Sequence, residues 1–385
     1  MKRFMIVIGT RPELIKLAPL VHELRARPER PTVHVVFTGQ HRELVDELAG
    51  FLGVEPDLDL DLMRHGQSLN DLAGRALRAL DGAITELSPD LVISQGDTTS
   101  AAMAALAAYH RGVPCAHVEA GLRSGDLMSP FPEEGNRKII GQLASHHFAP
   151  TEHALANLLA EGVPREDILV TGNTGIDAVL ATARRADLPD LLPEAARDAH
   201  SLALITLHRR ENQGPEVMGP LLDAIASIAS VWPEVTFLFP VHPSPRVRKA
   251  VLGRLAEVPN VALCEPLGYG EFVAAMCRSR LILSDSGGLQ EEAPALDVPL
   301  IVLRETTERP EGIEAGAAVL AGVDPQAVMC QANRMLGDER AAAAMRRARN
   351  PYGDGRACAR IAELLLTGAC ADPFVFDTRG LSCAS

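Results

Sequence analysis

The sequence predicts an α/β protein built from two doubly wound, Rossmann-like domains that face each other across a cleft. Three observations carry that expectation. Short, almost wholly apolar runs recur along the chain, as strands buried on both faces require. Each run ends in a small or polar turn that opens a helical pattern, so strand and helix alternate. The pattern lapses over a polar, proline-bearing stretch, 184–198, and restarts at 202, and 385 residues are enough for two cores. The expected division is residues 1–172 and 173–350. A C-terminal helix at 356–367 is a candidate to complete the first domain, and 371–385 reads as a frayed tail.

Composition narrows the class. A chain with 47% hydrophobic and 23% charged residues reads as a soluble globular protein, and no apolar run approaches the roughly 20 residues that span a bilayer. The apolar start is too short for the core of a secretion signal. Seven cysteines, an odd number with no CxxC pair, fit reduced thiols in the cytoplasm better than disulfides or a metal site. A net charge of −13 argues against broad binding to nucleic acid or an anionic membrane, but a locally positive cleft can still take a small anion. Aromatic content of 4% disfavours a sugar-stacking groove.

The first apolar run, 4–8, ends in Gly9-Thr10-Arg11-Pro12, where Thr10 suits an N-cap and Pro12 a first helical turn. Arg11 and Lys16 then lie near a helix start above a strand's carboxyl end, where open α/β sheets bind ligands. One glycine here is not the three of a dinucleotide fingerprint. Strands at 33–38, 91–94 and 113–118 follow. The run at 91–94 ends at Gln95-Gly96-Asp97 and that at 113–118 at Glu119, while Glu133 opens a helix after Pro132. Asp97, Glu119 and Glu133 thus fall on one rim of one sheet, and crowded carboxylates can share protons.

In the second half, strand 202–206 runs into His208-Arg209-Arg210, a dense cationic turn suited to phosphate pairing or leaving-group protonation. Strand 237–241 leads to His242, strand 261–263 to Leu267 and a helix bearing Phe272. Strand 281–283 meets Ser284-Asp285-Ser286-Gly287-Gly288 before a helix from Leu289. Two glycines between strand and helix let backbone N–H groups approach an anion, and Glu292, one turn on, suits a ribose diol. The chain therefore reads as a nucleotide-diphosphate binder.

Taken together, Gly9-Thr10-Arg11-Pro12-Glu13, Gly39-Gln40-His41-Arg42, Gly96-Asp97-Thr98-Thr99, His117-Val118-Glu119-Ala120-Gly121-Leu122-Arg123, Pro132-Glu133-Glu134, His208-Arg209-Arg210-Glu211, Asp285-Ser286-Gly287-Gly288 and Thr306-Thr307-Glu308-Arg309-Pro310-Glu311 form a specific set. From residue 4 to about 366 the chain is similar to the bacterial non-hydrolysing UDP-N-acetylglucosamine 2-epimerases. The resemblance implies the two-domain, GT-B-like architecture of many glycosyltransferases and inversion at C2 to give UDP-N-acetylmannosamine. The implied route eliminates UDP to 2-acetamidoglucal and adds it back. Asp97, Glu119 and Glu133 would handle protons, and His208 would stand near the departing diphosphate. Arg11, Lys16, Arg210, His242 and Arg309 would contact substrate. Ser286, Gly287 and Gly288 would cradle the diphosphate, Glu292 the ribose, and Leu267 and Phe272 the uracil. No cofactor or metal is implied, and a homodimer is. Where many members have an arginine and a glutamine for an activating second substrate molecule, this chain has Gly66 and Glu43, so activation by substrate is expected to be weak or absent. The competing expectations are a GT-B-type glycosyltransferase, which needs an acceptor, and a hydrolysing 2-epimerase, which releases the free sugar.

Overall fold

The structure, a computed structural model, describes residues 1–39 and 42–376, without the side chains of residues 42–44 and 210. The described chain divides into two compact units, Met1–Ala178 together with residues 352–376, and Val179–Pro351. The first unit therefore runs past the expected boundary at 172. Asn173 is the reason: its N–H donates to Tyr352 O (2.7 Å), and its side chain donates to Glu119 (2.9 Å).

The first unit is a seven-stranded parallel sheet. Its strands are β1 Arg3–Ile8, β2 Thr32–Phe37, β3 Leu58–Asp59, β4 Leu91–Gln95, β5 Cys115–Val118, β6 His146–Ala149 and β7 Ile168–Val170, in the spatial order β3-β2-β1-β4-β5-β6-β7. Met5, Val7, Val36 and Val92 pack one face against Leu72, Leu80 and Ile84 of the helix Leu69–Leu87 and against the helix Thr99–His110. The alanines of that second helix, Ala101 to Ala108, let it lie close to the sheet and to its neighbours.

The helix Ala357–Thr367 belongs to this unit. Its first turn is capped by Asp177, which accepts from Ala357 N (3.2 Å) and Cys358 N (2.9 Å). The tail differs from expectation as far as it is described. Phe374 is 3% exposed, packs on Leu155, Val170 and Ala149, and donates its N–H to Val170 O (3.0 Å). An aromatic ring with an apolar seat, a free sheet edge and the Arg360 guanidinium 5.6 Å from its centroid has reason not to fray.

The second unit holds six parallel strands, β8 Leu202–Thr206, β9 Thr236–Pro240, β10 Val261–Cys264, β11 Ser279–Ser284, β12 Leu300–Val302 and β13 Val319–Leu320, ordered β10-β9-β8-β11-β12-β13. Its core joins Phe237, Phe239, Leu281 and Leu283 to Leu221 and Ile225 of the helix Pro215–Val231. In each sheet the order reverses once, between β1 and β4 and between β8 and β11. A crevice outside the carboxyl ends of the strands opens at such a reversal. No helix among the described residues is long and apolar enough to cross a membrane.

Candidate functional site

In the first unit, the rim is assembled around the reversal. Gly9, just after β1, passes so close to its neighbours that a methyl group there would sit 2.8 Å from Thr38 Oγ1 and 2.9 Å from Ser100 Cβ. Thr10 caps the helix Arg11–Ala26 together with Glu13 in a reciprocal capping box. The Glu13 carboxylate accepts from the N–H groups of Gly9 and Thr10 (2.9 Å for Thr10) and from Thr98 Oγ1 (2.5 Å). It thereby fastens the β1 loop, which carries Arg11, to the β4 loop, which carries Asp97. Burial pushes Glu13 up to about 7; its three hydrogen bonds oppose the shift and the nearby Asp97 adds to it.

Glu119 follows β5 in a left-handed conformation (φ +64), which places a nearly buried carboxylate at the strand end. Lys16 Nζ lies 2.5 Å from its Oε1, Asn173 Nδ2 donates to the same oxygen, and Gln95 Nε2 donates to Oε2. Asp97 sits on the adjacent loop, because Gln95 of β4 pairs with Val118 of β5. Its Oδ2 accepts from Arg137 Nη2 (2.7 Å) and Nε (2.9 Å), and its backbone O accepts from Asn136 Nδ2 (2.8 Å). Arg137 also reaches Glu134 (3.2 Å), whose fully buried side chain accepts from the N–H groups of Ser124 and Gly125. Glu133, half-buried, is the first residue of the helix Glu133–Leu143 that supplies Asn136 and Arg137. Lys16 and Glu119 are thus in direct contact, Asp97 is tied to the helix of Glu133, and Arg11 is half-buried one residue from the cap.

The rim of the second unit is organised by one carboxylate. Asp285, after β11, has no exposed side-chain surface and accepts from His208 N (3.1 Å), Arg209 N (2.9 Å), Asn212 Nδ2 (3.1 Å) and His208 Nδ1 (3.0 Å). Burial pushes Asp285 upward, but the His208 ring and the backbone donors outweigh it and hold the acid below its usual range. With Nδ1 turned to Asp285, the half-exposed His208 ring presents Nε2 outward. Beside it runs the Ser286-Gly287-Gly288 turn, with Ser286 N held by Ser284 Oγ (2.9 Å). A methyl group at Gly287 would sit 2.8 Å from Arg309 Nη1 and 2.9 Å from Arg209 Nη2. Arg309 is fixed by Glu291 (2.5 Å) and by its own N–H to Thr307 Oγ1 (3.0 Å).

The remaining positions are simply placed. Glu292 is half-buried in the helix Leu289–Ala295, His242 Nδ1 after β9 accepts from Ser244 N (3.2 Å), and Leu267 and Phe272, both half-buried, follow β10. The Arg210 and Glu43 side chains lie outside the described residues; Gly66 occupies an exposed turn at φ +70. Sequence reasoning missed Asp285, Gln95, Asn173, Arg137 and Glu13 as site residues. Only Glu13 carried a local signal, the Thr-x-x-Glu spacing before an apolar run. Among the described residues no group of three or more His, Cys, Asp or Glu side chains is placed to hold a metal ion.

Two Rossmann-type sheets, each with polar side chains gathered at its reversal, define a two-domain α/β enzyme of the kind that handles nucleotide-linked substrates. Residues 22–366 match the profile of the family described as UDP-N-acetylglucosamine 2-epimerase. The chain is 44% identical over 370 residues to UDP-N-acetylglucosamine 2-epimerase of Salmonella typhimurium, covering 94% of this chain and 98% of that protein. It is 45% identical over 369 residues to a probable UDP-N-acetylglucosamine 2-epimerase of Ralstonia nicotianae, with the same coverage. The crystal structure of the Neisseria meningitidis UDP-GlcNAc 2-epimerase bound to UDP-GlcNAc superposes with a TM-score of 0.85 at 40% identity, covering 95% of this chain and all of that one. The chain belongs to the UDP-N-acetylglucosamine 2-epimerase family, whose members are isomerases.

Proposed function

We propose that the chain interconverts UDP-N-acetylglucosamine and UDP-N-acetylmannosamine without hydrolysis, as a cytoplasmic homodimer. A carboxylate of the first unit takes the proton from C2 of the sugar while the C1–O bond breaks, so that UDP leaves with the bonding electrons and C1=C2 forms. A second acid returns a proton to the opposite face of C2, and a UDP oxygen adds back to C1. The C2 proton is not acidic, so removal has to be concerted with a stabilised departure. Asp97, Glu119 and Glu133 are the proton-handling set, and Lys16 and Arg11 contact the substrate. His208 hydrogen-bonds the departing diphosphate through Nε2, and Ser286, Gly287, Gly288 and Arg309 hold it. Glu292 takes the ribose, and Leu267, Phe272, His242 and Arg210 line the nucleotide site. The net reaction is redox-neutral and needs no redox cofactor.

The observation that supports this reading best is the three acids on neighbouring loops and helix ends of a single sheet rim, two of them held by cationic side chains. Transfer to an acceptor asks for one base; inversion at a carbon asks for proton traffic on two faces. The test is to incubate the enzyme with UDP-N-acetylglucosamine and no acceptor, then separate the products. A second UDP-sugar in equilibrium with the first is expected. UDP and free N-acetylmannosamine in equal amounts, or no reaction until an acceptor is added, would contradict it.

A further inference from the structure

His117-Val118-Glu119 brings two titratable side chains to the end of β5, and the reading above uses only Glu119. We propose that His117 is a positioning residue for the reaction: its neutral imidazole donates a hydrogen bond to the Gly96 carbonyl and so fixes the peptide that presents Asp97. This rests on the epimerase reading above, in which Asp97 handles protons. It adds a side chain that is 1% exposed, too deeply buried to touch the substrate.

Three observations carry it. First, the bond can run only one way. His117 Nε2 lies 2.8 Å from Gly96 O, and a carbonyl only accepts, so Nε2 carries the proton. Nδ1 is buried with no hydrogen-bond partner among the described residues, and a second proton there would put an unsolvated charge in the core. Burial pushes the imidazole down to about 4; His147 and Arg123 add to the shift, while the Gly96 bond and Glu119 oppose it. The ring is thus a neutral donor at any pH near neutrality. Second, the carbonyl it holds is the soft point of the Asp97 loop. Gly96 is buried at φ +71 and has no Cβ to resist a turn of its peptide. Its N–H is committed to Val118 O (3.0 Å), and beyond it Asp97 O accepts from Asn136 Nδ2 (2.8 Å) and Asp97 Oδ2 from Arg137 Nη2 (2.7 Å). The peptide between those anchors is held at its oxygen by His117. Without that donor a buried carbonyl goes unpaired, and turning the peptide to find another shifts Asp97. Third, the neighbouring strand supplies a contrast. His147 of β6 pairs in register with His117, is also buried, and also bonds a carbonyl through Nε2. Its acceptor is Ala144 O (3.1 Å), at the far end of the helix Glu133–Leu143 and away from the loop.

The expected effect is therefore on rate and not on affinity. Displacing a proton-transfer group by about 1 Å costs about 100-fold in rate, while the nucleotide contacts assigned to the second unit stay as they are.

The test compares His117→Gln, which keeps a neutral donor near the place of Nε2, with His117→Met, which fills the space without one, and takes His147→Met as the control. Turnover and KM for UDP-N-acetylglucosamine, UDP affinity by calorimetry, and melting are measured on the full-length enzyme. His117→Met is expected to lose about 10- to 100-fold in kcat, with KM and UDP affinity within about threefold of wild type, and His117→Gln to recover most of that loss. His147→Met is expected to melt lower while keeping kcat within about threefold. Nitrogen NMR of the labelled imidazoles, with His117 identified by the signal missing in His117→Gln, is expected to show a neutral Nε2–H tautomer from about pH 5.5 to 8.5. That readout stands if the methionine variant does not fold. Wild-type kcat in folded His117→Met, equal losses in His117→Gln and His117→Met, an equal loss in His147→Met, or a His117 that titrates or carries its proton on Nδ1 would overturn the proposal and leave the epimerase reading intact. A wild-type enzyme that makes no second UDP-sugar would overturn that reading and the proposal with it, whatever the spectra show.

Discussion

Replacing Glu13 with glutamine should make the protein more stable at pH 8 and leave it unchanged near pH 4. Glu13 is fully buried, and its folded-state value is pushed up to about 7 from the 4.5 of an exposed glutamate. Between those two values the folded chain keeps a proton that the unfolded chain has released, so stability falls as pH rises through that window and then levels off. A displacement of that size corresponds to on the order of 3 kcal/mol at pH 8. Glutamine carries no charge at any pH and keeps the partners. Its carbonyl can accept from Gly9 and Thr10, as Oε2 does now, and its amide can donate to Thr98, whose hydroxyl turns to accept. Urea midpoints of the Glu13→Gln variant and wild type, taken from pH 4.5 to 8.5, should diverge steadily up to about pH 7 and run parallel above it. Subtracting one from the other cancels the titrations they share. A variant less stable than wild type at pH 8, or a difference that does not change with pH, would refute the reasoning.

Asp285→Asn should be the most damaging conservative change in the second unit. Four donors address a carboxylate with no exposed surface, and the amide NH2 would face at least one of them, so a loss of about 3–5 kcal/mol in urea unfolding is expected. Turnover should fall about 10²- to 10⁴-fold, because the His208 ring loses the acceptor that fixes its tautomer. The Asp285 contribution is present above the ordinary aspartate range and lost only as pH falls through its depressed folded value, so wild type and variant should converge only in strong acid. Progress curves started from UDP-N-acetylmannosamine alone should show no lag, given Gly66 and Glu43 where an activating site would need a cation and an amide; a lag abolished by trace UDP-N-acetylglucosamine would contradict this.

Much of this fold is legible in the chain because a buried parallel strand announces itself as an apolar run and a turn. That is why the strands ending at Ile8, Val118 and Thr206, and the loops bearing Asp97, Glu119 and His208, could be placed. The strands β3 and β13 could not: each has two residues, too few for any pattern. The partners of the acids are harder still. Lys16, Gln95 and Asn173 reach Glu119 from three other segments, and Thr98 meets Glu13 across 85 positions. Nothing local marks those encounters, since the order of strands in the sheet decides them. Asp285 was hidden for a different reason. Inside Ser-Asp-Ser-Gly-Gly it reads as turn chemistry, and only its burial beneath the His208 loop shows it to be the anchor.

The most direct measurement is proton NMR of UDP-N-acetylglucosamine incubated with the enzyme in heavy water. Proton abstraction at C2 with loss and return of UDP predicts that solvent deuterium appears at C2 of the manno product and, as equilibrium is approached, of the recovered gluco substrate. Epimerisation with the original hydrogen retained at C2 would contradict the account.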